Sequence, residues 1–308
     1  MPESMYRGDV PANVLPKEVS SEIWTDTQEA SAVMRFANRI DLPGVGLAVP
    51  MITGDPEAEW AGETDEIAVG ESEVDFREMK GHKIGVIETF SKEFRRDAAG
   101  LYAQMRERLP KTIAGKFDRT VFHAASGSGP VNMQTFDSLR KSGVQSLALT
   151  RESAYDDLVD IDTAVSEANG ALSAYVLAPK ARGVLLRAKD ADERPLLVNN
   201  VQTDGAITSL LGVDAYRTGA VYLPGAADTD ATIGFAGEWS SAYYGVVQDI
   251  EIEISDQATV TKGGKQINLW QRDMFAVKVT AHLGFMIRKG REDRFVRILD
   301  GSVSRDAG

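Results

Sequence analysis

The chain has 308 residues, 43% of them hydrophobic, with no cysteine and a formal net charge of −12. That length suggests roughly two domains of about 150 residues, and the lack of cysteine excludes disulfides, thiolate metal sites and cysteine nucleophiles. The negative balance disfavours broad binding to a phosphate backbone, and no apolar run reaches the ~20 residues that cross a bilayer.

Residues 1–50 read as an extended arm broken by Pro2, Pro11, Pro16, Pro43 and Pro50, with acidic residues and prolines where an export signal would be basic and then apolar. One amphipathic helix is expected within Ser20–Arg39, with Ile23, Trp24, Ala30, Val33, Met34 and Ala37 near one side. Two readings stay open for it: the first helix of a domain, or a helix that docks on another subunit.

The next stretch is the most unusual. Between Asp55 and Glu78 stand ten carboxylates and a single base, Arg77, so the segment holds nine of the chain's twelve net negative charges. A segment so charged is solvated or lies against a basic partner. Trp60, Ile67, Val74 and Phe76 are spaced as in a long two-stranded excursion, and a lone two-stranded ribbon is unstable in water. Something outside the ribbon is expected to hold it. The segment closes into the apolar run Ile84, Val86, Ile87, Phe90.

A long helix follows, with Ser91 as the expected N-cap and Phe94, Ala98, Leu101, Met105, Leu109, Ile113, Phe117 and Val121 stepping by three or four. Pro110 predicts a kink or break inside it. Its other side carries Arg95, Arg96, Arg106, Arg108 and Lys111, together with Lys92, Lys116 and Arg119. That side reads either as a solvated face or as the receptor of a neighbour's acidic ribbon.

From Gly143 to Ser255 helix and strand signals alternate: helices at Tyr155–Ala168 and Lys180–Ala188, strands at Leu172–Leu177, Ala220–Leu223 and Val246–Ile254. This predicts a separate α/β lobe. The last element, Phe275–Ile287, alternates strictly with period two, as a long strand with one buried face does. A chain that leaves one lobe, builds another and returns by a long strand has an inserted domain.

Residues that could carry chemistry are sparse. His82, His123 and His282 have no second ligand at helical or hairpin spacing, so neither a metal site nor any cofactor is expected. His282 reads as a hydrogen-bonded surface or interface residue. Ala124–Pro130 is a glycine-containing loop without the Gly-Lys-Ser/Thr of a phosphate cradle. General acid and base work needs a desolvated carboxyl, which ten solvated carboxylates do not supply. No catalytic residue is assigned; a soluble α/β enzyme remains the reading from another class.

The order of segments, together with Pro50-Met51-Ile52-Thr53-Gly54-Asp55-Pro56, Ala61-Gly62-Glu63, Phe76, Lys83-Ile84-Gly85-Val86, Ser91, Asp97, Leu210-Leu211-Gly212-Val213 and Met274–Thr280, resembles the major capsid proteins of tailed bacteriophages with the Hong Kong 97 fold. The likeness runs from about Ser20 to Leu299. It implies an α+β subunit with an arm (1–50), an extended loop (51–90), a peripheral domain in two parts (91–142 and 256–308) and an inserted axial domain (143–255). It also implies self-assembly as pentamers and hexamers into an icosahedral head around double-stranded DNA, without sequence-specific contacts and without a membrane.

On this resemblance Trp60, Glu63, Asp65, Glu66, Glu71, Glu73 and Phe76 form the loop's contact with a neighbour, and Arg95, Arg96, Arg106, Arg108 and Lys111 form the face that receives it. A separate scaffolding protein, a portal and a decoration or cement protein are the further implied partners, with assembly in the host cytoplasm and residence in the virion. Some members join a loop lysine to a neighbour's asparagine. This chain has Val69-Gly70-Glu71-Ser72 and Asp273 at the corresponding places, so a noncovalent shell is expected. An encapsulin-like compartment holding cargo enzyme is the alternative within the same fold.

Overall fold

The structure, a computed structural model, describes residues 17–44, 47–52, 74–93, 98–123, 129–130, 133–140, 143–150, 153–188, 209–225 and 230–301. In chain order the first elements are α1 (Lys17–Ala30), α2 (Ala32–Phe36), β1 (Asn38–Asp41), β2 (Leu47–Ile52), β3 (Val74–Met79), β4 (His82–Ser91) and α3 (Ala98–His123). Next come α4 (Phe136–Leu139), β5 (Gln145–Leu149), α5 (Ala154–Glu167), β6 (Ala174–Leu177), α6 (Pro179–Leu185), β7 (Ser209–Leu210), β8 (Val213–Arg217) and β9 (Thr232–Gly237). The chain closes with β10 (Ala242–Ser255), β11 (Thr259–Lys262), β12 (Lys265–Asn268), β13 (Met274–Ile287) and β14 (Phe295–Asp300).

Two sheets organise these elements. A four-stranded sheet has the order β1-β10-β13-β4, and α1 and α3 pack against it. A six-stranded sheet has the order β5-β14-β9-β6-β8-β7. Its central strands β6 and β9 are buried at every residue, as strands covered on both faces are. Helix α5 covers it with Leu158, Ile161 and Val165, the one-sided stripe expected of an amphipathic helix.

The sheets meet at an aromatic seam. Phe136 of α4 lies 4.8 Å from Phe235 of β9, 5.3 Å from Phe295 of β14, 5.5 Å from Phe122 of α3 and 5.7 Å from Phe285 of β13, ring centre to ring centre. Such offset and edge-on pairs add to burial. Thr135 caps α4, its hydroxyl accepting from the Ser138 amide at 3.2 Å while Ser138 Oγ accepts from the Thr135 amide at 3.0 Å, and this fixes where Phe136 points. Trp239 joins the seam and donates its indole N–H to the Ala174 carbonyl at 3.1 Å.

Several local expectations change. The Ser20–Arg39 helix is two helices: Ser31 takes an extended conformation and caps α2, its Oγ accepting from the Met34 amide at 3.1 Å. Ser91 ends β4 and caps nothing in α3, which begins seven residues later; its Oγ accepts from the Glu93 amide. Helix α3 continues through Pro110, whose ring is buried. A proline forfeits one hydrogen bond, and the burial of Leu109, Ile113, Phe117 and Val121 around it offsets that loss.

Ala220–Leu223 is a 3-10 turn with one isolated bridge, not a strand, because Gly219–Val221 curls beneath α3. Strand β10, expected in the middle lobe, pairs with β13 along most of its length, whereas β14, beyond the expected return strand, joins the six-stranded sheet. Strand β13 is buried on both faces over most of its length, not on one, since Ala276, Thr280, Gly284 and Met286 are covered as well. Gly284 is required there: a Cβ would stand 2.7 Å from the Lys80 carbonyl oxygen, where the chain crosses from β3 to β4.

Candidate subunit interface

The expected ribbon exists at its described ends, where β2 pairs antiparallel with β3 from Leu47↔Met79 to Ile52↔Val74. Its root is anchored in a small core of Met79, Leu42 and Met286. Gly245 makes room for it, since a Cβ there would lie 2.3 Å from Leu42 Cδ1 and 2.4 Å from Met79 Sδ. Phe76, near the root, is 63% exposed. Trp60, Glu63, Asp65, Glu66, Glu71 and Glu73 lie outside the described residues, as do Arg95 and Arg96.

Along α3, Arg108, Lys111, Lys116 and Arg119 are exposed on the flank away from Leu109, Ile113 and Phe117, as helical spacing predicts. Arg106 lies in the same helix. Arg108 Nη2 stands 3.4 Å from Glu88 Oε1 of β4, so one member of the basic face is already tied to its own sheet. Next to it, Val86–Phe90 of β4, Arg108 and Thr259–Lys262 of β11 line an open groove of about 630 Å³. Ile87, in the groove wall, is 54% exposed.

The β11–β12 hairpin that forms the far wall escaped the sequence reading. Its signal was present in Gly263-Gly264 between Thr259–Lys262 and Lys265–Asn268, since a two-residue loop with both φ positive (58° and 76°) favours glycine. Asp273, the position set against a family asparagine, has φ 52° at the end of a 3-10 turn. Its carbonyl accepts from the Lys92 amide at 2.9 Å, and its carboxylate lies 3.5 Å from Lys92 Nζ. The preceding Trp270 is 69% exposed.

Beneath the basic flank, α3 carries a fully buried acid. Asp118 accepts from the Ser31 hydroxyl and from the amides of Ala32 (2.8 Å) and Val33 (3.3 Å), clamping the start of α2 to α3. Burial pushes its carboxyl up to about 6, although all three donors favour the anion. Sequence periodicity gave no sign of it, because its partners lie more than eighty residues away. Burial also depresses His82, assisted by Lys80. His123 is buried and 2.6 Å from the Val221 carbonyl, and burial lowers its basicity too. Among the described residues no group of three or more His, Asp or Glu is placed to hold a metal, and no helix is long and apolar enough to cross a membrane.

The fold is that of solved phage capsid chains. It matches one from Microbacterium phage Oxtober96 with a TM-score of 0.70 at 16% identity, covering 97% of this chain and 96% of that one. It also matches a chain described as "Capsid of empty GTA particle computed with C5 symmetry", with a TM-score of 0.62 at 14% identity over 97% and 95% of the two chains. In sequence, the chain is 24% identical to the "Probable major capsid protein gp17" of Mycobacterium phage L5, over 96% of this chain and 90% of that protein. The model of the phage capsid family matches residues 12–291, and the chain belongs to that family. Membership makes it a structural component of a phage capsid, hence of the virion, and not an enzyme.

Proposed function

We propose that this chain is the major capsid subunit of a tailed bacteriophage, assembling as pentamers and hexamers into an icosahedral head around double-stranded DNA. The observation that carries the reading is that family, relatives and fold agree over nearly the whole chain, arm to last strand, and not over one module. Apolar burial between copies supplies most of the affinity. The acidic segment of one copy against the basic flank of α3 in the next sets orientation and register, because exposed ion pairs contribute only about 0–1 kcal/mol each. A subunit of charge −12 repels the packaged DNA, which suits a container filled by a separate motor.

Assembly in the host cytoplasm, a separate scaffold, a portal and an optional cement protein complete the proposal. The shell is noncovalent, so denaturing gels of assembled particles show monomer; a ladder of covalent multimers contradicts that. Reversing Glu63 and Glu66 to Lys is expected to impair assembly while leaving the subunit folded. Normal shells from that double variant refute the assignment of the acidic loop.

A further inference from the structure

Helix α5 ends in a turn that closes on two hydrogen bonds. The Asn169 amide donates to the Ser166 carbonyl at 2.9 Å and the Gly170 amide to the Val165 carbonyl at 3.0 Å, the pairing of a Schellman cap. Asn169 is exposed and left-handed, at φ 52°, a conformation that asparagine tolerates better than most residues. Gly170 has no room for a side chain, since a Cβ would stand 2.9 Å from Arg294 Cδ and 3.1 Å from Val165 Cγ1. Arg294 is held over it by an ion pair with Glu238. Backbone conformation at one position and packing at the next therefore set asparagine before glycine, the only such pair in the chain.

The pair is chemically labile, because glycine has no side chain to hinder attack of its own nitrogen on the preceding asparagine. We propose that Asn169 is a deamidation site that the cap of α5 keeps closed. In the reaction the Gly170 nitrogen gives up its proton and attacks Asn169 Cγ. The N–Cγ bond forms, the Cγ–Nδ2 bond breaks, and ammonia leaves with the proton. Water then opens the five-membered imide at either carbonyl, leaving aspartate or isoaspartate at position 169. The cap opposes the first step twice. It holds the proton of the attacking nitrogen on the Val165 carbonyl. A left-handed residue, with ψ of about +47°, also sets its Cβ nearly opposite the next nitrogen, so the ring cannot close. Both products add a negative charge at a helix C-terminus, where the dipole disfavours it, and isoaspartate inserts a carbon into the backbone as well. Conversion thus loosens the turn on which Arg294 packs. The inference concerns a single subunit and does not depend on the shell reading.

The test is peptide mapping by mass spectrometry of the full chain incubated in mildly alkaline buffer, folded and in denaturing guanidinium. Asn169 is expected to convert about tenfold or more slowly in the folded chain. Equal rates overturn the closed site. In guanidinium Asn169 is expected to outpace Asn13 and Asn200, each followed by valine. A rate no faster than theirs overturns the labile pair.

The opening that admits reaction is local to the cap. As sub-denaturing guanidinium is raised, conversion is expected to follow amide exchange at Gly170 and to precede exchange of the seam around Phe136. Conversion that tracks the seam instead makes global unfolding the route and overturns gating by the cap. Arg294→Ala uncovers Gly170 and is expected to raise the folded-state rate several-fold; an unchanged rate in the folded variant contradicts the gate. Where that variant does not fold, the guanidinium series on the wild type reads the same opening. Asn169→Gly suits the left-handed turn and removes the reacting side chain, so it is expected to keep the fold and to show no mass change in this peptide. A mass change that persists there assigns the conversion to another residue and overturns the site.

Discussion

The aromatic seam and the β4–β11 groove lie at opposite extremes of one subunit. At the seam, rings from α3, α4, β9, β13 and β14 close on Phe136, with Phe122, Phe136, Phe235 and Phe295 at most 1% exposed. At the groove, an edge strand, a basic helix flank and a hairpin meet without closing, and Ile87 and Arg108 stand in solvent. The chain completes its own interior where its two sheets join and, among the described residues, leaves the groove open to solvent. This is the division a lattice subunit needs: rigid lobes with adaptable contacts.

The comparison breaks most visibly at the seam. Phe136→Ala removes the ring shared by both sheets and is expected to cost about 3–5 kcal/mol, read as a lower urea midpoint of the unassembled chain. A loss below ~1 kcal/mol means that the sheets are joined by something other than this cluster.

Asp118 comes next. Asp118→Ala leaves the Ser31 hydroxyl and two amides without their acceptor, a cost of about 1–3 kcal/mol. Its pH dependence has a definite sign. The folded carboxyl, at about 6, lies above the ordinary 3.8, so the native chain holds the proton more tightly than the unfolded chain. Stability from this group is full below about 4 and is lost as pH rises through about 6. Relative to Asp118→Asn, the wild type should therefore lose stability across that window; a parallel pH profile contradicts the assignment.

The smallest effect on folding is expected at the groove. Arg108→Ala removes an exposed pair worth at most about 1 kcal/mol, so subunit stability should barely move. Shell yield should fall, and the defect should deepen with salt, which screens the remaining basic residues. A variant equally impaired in folding and assembly would erase the distinction between the two regions.

These regions were unequally legible. Period-two alternation exposed β13, and one-sided spacing exposed α3 and α5, because each signal is local to its element. The seam was not legible, since Phe122, Phe136, Phe235, Phe285 and Phe295 come from separate parts of the chain and only tertiary pairing brings them together. The same non-locality put β10 with the wrong neighbours: Ile250, Ile252 and Ile254 reveal a strand but not that β13 is its partner. Of the candidate interface, the basic residues of α3 were readable from helical spacing. Glu88, Lys262 and the edge of β4 that has no partner among the described residues were not, because an edge is defined by the absence of a partner strand.

The central claim is that the chain is built to associate with copies of itself. Negative-stain microscopy with sedimentation velocity on the purified chain, alone and co-expressed with its flanking genes, tests this most directly. Closed shells or capsomer rings of uniform size are the predicted result. A homogeneous monomer or dimer under every condition, with and without those genes, would contradict it.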